Sequence, residues 1–198
     1  TAKKGTLPVK EKKIFFFNYN IVTGELVQLD EFAKPKRRPS WANISPDSTV
    51  VVFGKNYNLW WMDRANYQKA LKNEDDSTIV QYQLTKDGVE NFSYHSDGNG
   101  ESNVEKEKNK NKRKSAFILW SPDSKYFTIN FTDNRKVKDL WVINSIADPR
   151  PTLETYKYWM PGEKESPIEH LLLFDWNTKT SKEIGTGMYK DQSVNVWS

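Results

Sequence analysis

Two histidines, a run of three carboxylates and one aromatic-rich stretch are the residues of this 198-residue chain whose types could do chemistry. His95 and His170 have the side chain suited to general-base work, but a base needs a nucleophile beside it. Neither has a Ser or Cys partner at a recognisable spacing, no Gly-x-Ser-x-Gly is present, and the chain has no cysteine. Each therefore reads as an ordinary surface histidine. Glu74, Asp75 and Asp76 are consecutive and lack the spaced ligands of a calcium loop, so they read as a solvated turn. No glycine-rich phosphate loop appears. No metal and no cofactor is expected, and the chain as given should not catalyse a reaction. What remains is contact chemistry. Tyr156, Tyr158, Trp159 and Met160 are large, amphipathic or polarisable side chains of the kind that anchor interfaces. Pro149, Pro151, Pro161 and Pro167 surround them and stiffen the backbone, which reduces the entropy lost on docking. These four residues are the candidate substrate or domain contacts. The plainer alternative is that they pack back onto their own sheet.

The elements that must position them are strands. Val80, Tyr82 and Leu84 alternate with glutamines, and Phe127, Ile129 and Phe131 alternate with Thr128 and Asn130, which is the period of two. "IFFFNYN" (14–20), "TVVVF" (49–53), "NLWWM" (58–62), "DLWVI" (139–143) and "LLLFDW" (171–176) read as further strands buried on both faces. No helical period is sustained. "NYQKALK" (66–72) offers one or two helical turns.

A repeat orders these strands. "SPDS" stands at Ser45–Ser48 and again at Ser121–Ser124, 76 residues on, and the chain ends 77 residues later at Ser198. The tetrapeptide is turn chemistry: Pro presets φ, and Asp and Ser bond their own backbone. Each copy follows an apolar stretch and precedes a β-rich strand, with a Trp-bearing strand next (Trp60 and Trp61, then Trp141). Repeated four-stranded antiparallel meanders with aromatic signatures are β-propeller blades. The fold class expected is all-β: a partial propeller of about three four-stranded blades with long inserts. The parts are a blade end at 14–30, a blade at 40–85, a blade at 116–185 and the start of the next at 193–198. The second blade reads "AFILWS", "KYFTINFT", "KDLWVIN", an excursion over Ala147–Glu169, "HLLLFDWN" and "KEIG". An arc of this size cannot close, and its open terminal edges make self-association an expectation. A β-sandwich would also give short strands and turns, and it is the architectural alternative.

The net charge of +4 is confined to one place. Glu105–Lys114, "EKEKNKNKRK", carries five Lys and one Arg against two Glu, which is the whole excess. A nucleic-acid binder spreads its cations over a folded face with aromatic platforms, so no nucleic-acid partner is expected. The insert Ser96–Ser115 reads as a solvated, mobile loop, because Val104 is the one apolar residue between Ser96 and Lys114. No run approaches a membrane span, so no membrane segment is expected. The N-terminal "TAKKGTLPVKEKK" looks like a fragment boundary, and a removed signal peptide is compatible with it.

The stretch Arg135–Glu165, "RKVKDLWVINSIADPRPTLETYKYWMPGEKE", resembles the propeller of the dipeptidyl peptidase IV family, the S9 prolyl-oligopeptidase-type serine peptidases, in its bacterial form. The elements that carry the resemblance are Trp120-Ser121-Pro122, Tyr156-Lys157-Tyr158, Pro161-Gly162 and the strand Leu171–Asp175. "LTKDGVENFSY" (84–94) is similar to the family's inter-blade link. The resemblance implies a parent serine-type peptidase with an N-terminal propeller and a C-terminal α/β-hydrolase domain that carries a Ser-Asp-His triad. That domain is absent from this chain, which would be inactive alone. It implies that the propeller gates or positions peptide substrates, that the partners are those peptides and the hydrolase domain, and that the excursion Pro149–Pro167 lies against that domain or its substrate cavity. It also implies a periplasmic, secreted or cell-envelope location. The family's amine-binding pair of glutamates falls on Lys108-Asn109-Lys110 here, with Glu105 and Glu107 nearby, so those functional residues do not carry over. The rival reading is a propeller that binds a protein or glycan with no peptidase attached.

Overall fold

The computed structural model describes residues 15–29, 38–96, 101–185, 187–189, 192, 194 and 196. The chain divides into two compact units, residues 1–37 and 38–198. In the first, β1 (Phe16–Tyr19) and β2 (Leu26–Leu29) form an antiparallel hairpin. Its turn is closed by the Asn20 side chain, which accepts the amides of Val22 and Thr23, and by Gly24 at φ 72°. The expectation that this segment is buried on both faces does not hold. Phe17 and Tyr19 are exposed, because a two-stranded ribbon has no facing layer within its own unit.

The second unit holds two four-stranded antiparallel sheets, blades of a partial, all-β propeller. The first runs β3 (Asn43–Ile44), β4 (Val50–Lys55), β5 (Asn58–Asp63) and β6 (Tyr82–Gln83), in that order. Helix α1 (Arg64–Lys72) follows β5 and starts on Asp63, whose carboxylate accepts the Asn66 amide at 2.8 Å. The continuous apolar run in β4 has a physical reason. Val51 and Phe53 face Tyr67 and Ala70 of α1, together with Trp41 and Met62. Val50 and Val52 face the second sheet, in one core with Phe127, Ile129, Leu172 and Phe174. A strand covered on both sides loses the polar half of its alternation.

The second sheet contains β7 (Phe117–Trp120), β8 (Tyr126–Asp133), β11 (Ile168–Asp175) and β12 (Thr180–Glu183), in the order β12-β11-β8-β7. Strands β9 (Asp139–Asn144) and β10 (Thr152–Lys157) lie outside it and, among the described residues, pair only with each other. This corrects the reading of "KDLWVIN" as a blade strand. The edge of β8 not taken by β7 is occupied along its whole length by β11, from Ile168 opposite Asp133 to Asp175 opposite Tyr126, and no place is left for β9. The excursion therefore begins just after Asp133, not at Ala147, and its body is a β-ribbon.

The lysine-rich insert is also more ordered than its composition implied. Its described part contains α2 (Asn103–Asn109), opened by a capping box in which the Ser102 hydroxyl accepts the Glu105 amide and the Glu105 carboxylate accepts the Ser102 amide. Lys114 forms a two-way backbone bridge to Gly54, at 2.9 and 2.8 Å. Arg113 lays its guanidinium over Trp41 and Phe53, 5.3 and 5.7 Å from the ring centres. Residues of this kind bury their stems on apolar surface, so the charge run is anchored to the first blade rather than solvated throughout. The expected strand start at 193–198 lies largely outside the described residues.

Candidate functional site

The ribbon of β9 and β10 brings the candidate contact residues together in part. Period-two alternation puts Trp141, Ile143 and Leu153 on one face of it. That face is open, with Trp141 and Ile143 each 69% exposed. The opposite face carries Leu140, Val142, Glu154 and Tyr156, and α2 lies against it. Glu154 is only 4% exposed. Its carboxylate accepts the Asn103 amide at 2.8 Å and the Thr152 hydroxyl at 2.9 Å. With its side-chain amide turned to match its neighbours, Asn103 bonds both the carbonyl and the amide of Thr155, at 3.3 and 3.0 Å. The insert thus covers one edge of β10, which would otherwise be bare.

Tyr158, Trp159 and Met160 sit just beyond β10 and are all exposed. Glu163 holds two of them: its carboxylate accepts the Met160 amide at 3.1 Å and pairs with Lys138 at 3.1 Å, and its carbonyl accepts the Trp159 indole N–H at 3.0 Å. The Met160 amide bond, followed by Lys138, holds the Glu163 carboxyl below the usual range. Gly162 at φ 88° allows the tight return of the chain. Tyr156 belongs elsewhere. It lies within the ribbon with Lys106 5.6 Å from its ring centre, and it lines a cleft beside β7 and β8 of the second sheet.

That cleft has a volume of about 800 Å³, in the range of ligand-sized sites. Its lining mixes amide and hydroxyl side chains, among them Asn43, Ser93, Thr128 and Asn130, with the apolar residues of β7, and it includes Lys106, Tyr156 and Glu169. Nothing in the sequence placed these residues together, because they come from widely separated segments.

The two histidines are held structurally. The surface reading fails for His95, which is buried, accepts the Tyr57 amide on Nε2 at 3.1 Å and stacks on the Tyr57 ring. His170 stacks on Phe131 and bonds Glu183 through Nδ1 at 2.7 Å. In the acidic run, Glu74 accepts the Trp41 indole N–H and, on its carbonyl, Arg113, while Asp76 accepts the Thr78 amide within its own turn. No group of three or more potential metal-ligating side chains occurs among the described residues. No helix among them is long and apolar enough to cross a membrane. Where a carboxylate pair would bind an amine, Glu105 is engaged in the capping box and Glu107 pairs with Lys110, so the two do not converge.

The family described as the dipeptidyl peptidase IV (DPP IV) N-terminal region matches residues 12–197. No curated protein matches. Among solved structures, dipeptidyl peptidase 4 of Porphyromonas gingivalis is similar over 88% of this chain, at 19% identity and a TM-score of 0.50. A putative dipeptidyl aminopeptidase IV of Bacteroides ovatus is similar over 87% of it, at 14% identity and a TM-score of 0.41. The chain spans 22% of the first of these and 20% of the second. At 19% identity the first likeness is one of fold.

Proposed function

The chain belongs to the family of dipeptidyl peptidase IV N-terminal regions, and on that premise we propose that it is a noncatalytic arc of a peptidase propeller which positions or gates peptide substrates for a separate hydrolase domain. The observation that carries this reading is the ribbon. It leaves the blade between β8 and β11, and it is anchored to α2 through Glu154. It presents Trp141, Ile143, Tyr158, Trp159 and Met160 to the outside. A ribbon braced on one face and apolar on the other is built to meet a further surface. In a parent enzyme that surface is the hydrolase domain or the peptide at its entrance, and the enzyme is exported to the periplasm, cell envelope or medium.

The reading is tested on the protein expressed from its complete gene. A fluorophosphonate probe should label one serine outside residues 1–198, and the labelled protein should release product from a proline-containing peptide. A protein that takes no label and cleaves no peptide would overturn the peptidase reading in favour of a propeller that only binds.

A further inference from the structure

The cleft beside β7 has features that the ribbon's role leaves unused. Strand β7 ends the order β12-β11-β8-β7, and no second strand pairs with it among the described residues. Phe117, Ile118 and Leu119 of β7 line the cleft. An open strand edge that borders a ligand-sized space is the arrangement used to bind an extended peptide by strand addition. The cleft wall also shows that it can hold main chain. Glu169 accepts the Val194 amide at 2.9 Å, and Asn130 donates to the Val194 carbonyl, so two side chains on neighbouring strands read both polar groups of one residue.

Charge adds a direction. Two lysines line the cleft, Lys106 and Lys157. Lys157 is neutralised by Asp139 at 2.9 Å. Lys106 lies beside the Tyr156 ring and has no carboxylate within ion-pair distance among the described residues. An unneutralised ammonium in a cleft bordered by a strand edge suits a carboxylate carried by the bound chain.

We infer that this cleft binds an extended peptide as an added strand on β7, with a carboxylate of the peptide on Lys106. The ligand class rests on the peptidase reading, and the geometry does not. The carboxylate is either the peptide's C-terminus or an acidic side chain, and the experiment separates the two.

The probe is an acetylated hexapeptide of alternating threonine and valine that ends in glutamate. It is titrated into the isotopically labelled 198-residue chain and followed by NMR. Binding should shift the amides of Phe117, Ile118 and Leu119 and slow hydrogen exchange at the amides of β7 that do not face β8. Amidating the C-terminus, replacing the glutamate by glutamine, or both, identifies the carboxylate that is used. The doubly neutral peptide and the Lys106→Gln chain should each bind about tenfold more weakly. Methylating the peptide's backbone nitrogens should abolish binding to the unaltered chain, and this arm needs no protein variant. Absence of binding, binding without protection of β7, or equal affinity for the methylated peptide would each overturn the inference. No hydrolase domain is present in this experiment, so its failure leaves the serine-labelling test of the peptidase reading untouched.

Discussion

The backbone N–H of Asp47 donates to the side-chain hydroxyl of Ser124 at 3.0 Å. The two residues belong to the two copies of the same turn, so the repeat is joined to itself. Both turns are built alike. Ser45 and Ser121 each donate to the Asp two positions on, and Ser48 and Ser124 take up φ of 59° and 60°. Equivalent turns of neighbouring blades come side by side, and a hydroxyl at the fourth position reaches across.

Ser124→Ala should therefore cost about 1 kcal/mol, the net worth of one hydrogen bond. Ser48→Ala, at the matching exposed position, should change stability by less than about 0.5 kcal/mol. Urea unfolding of both variants checks this. Equal costs would mean that the link between the turns contributes nothing.

Acid should destabilise the fold through the same turns. The carboxyls of Asp47 and Asp123 lie below their ordinary 3.8, chiefly because the Ser45 and Ser121 hydroxyls bond the charged form. Asp133 is lowered too, chiefly by the Arg135 side chain. A carboxyl whose folded-state value is depressed contributes stability that is present above 3.8 and lost as the pH falls through the folded value. The melting temperature should drop as the pH is taken from neutral to about 3, and the combined Asp47→Asn and Asp123→Asn variant should be less acid-sensitive than the parent. An unchanged acid limb would remove the turns from the account.

Gly54→Ala should be severe. A Cβ there would lie 2.1 Å from the Cβ of His95 and 2.8 Å from its Cγ, on the strand residue that bridges Lys114. The expected loss is about 2–4 kcal/mol, read by thermal or urea unfolding. A His95→Gly change made in the Gly54→Ala background should recover part of it. A neutral Gly54→Ala would show that the insert docks less closely than described.

The anchoring of the charge run is tested at Arg113. Arg113→Ala removes the cover over Trp41 and Phe53 and should cost about 1–2 kcal/mol. Lys108→Ala, on the exposed side of α2, should cost less than about 0.5 kcal/mol. Equal, small effects would return the run to the status of a solvated loop.

Particular residues explain which parts were legible in the sequence. The blades were readable because Val50–Phe53 and Phe127–Phe131 carry their burial in their residue types, and because "SPDS" marks the turn before each. "DLWVIN" misled because strand propensity does not say which sheet a strand joins. Trp141 looked like a blade Trp, yet it lies on the open face of the ribbon. Helix α2 was hidden by its lysines, although Ser102 and Glu105 carry the spacing of a capping box. Of the four candidate contact residues, Tyr158, Trp159 and Met160 are exposed just beyond β10. Tyr156 separates from them because it points to the face of the ribbon that α2 covers, a consequence of strand parity combined with a tertiary contact. The cleft was not legible, since Asn43, Thr128, Lys106 and Glu169 meet only once the two sheets pack.

The central claim is that the ribbon's aromatic group acts on peptide turnover from outside the catalytic centre. The most direct measurement is the peptidase kinetics of the protein expressed from the complete gene, with Tyr158 and Trp159 both replaced by Ala. These side chains are exposed, so the fold should be unchanged. Hydrolysis of longer peptides should fall roughly tenfold in kcat/KM. Acylation of the catalytic serine by a small fluorophosphonate should proceed at the parental rate. Unchanged turnover on peptides of every length would contradict the account and leave the ribbon a purely structural appendage of its blade.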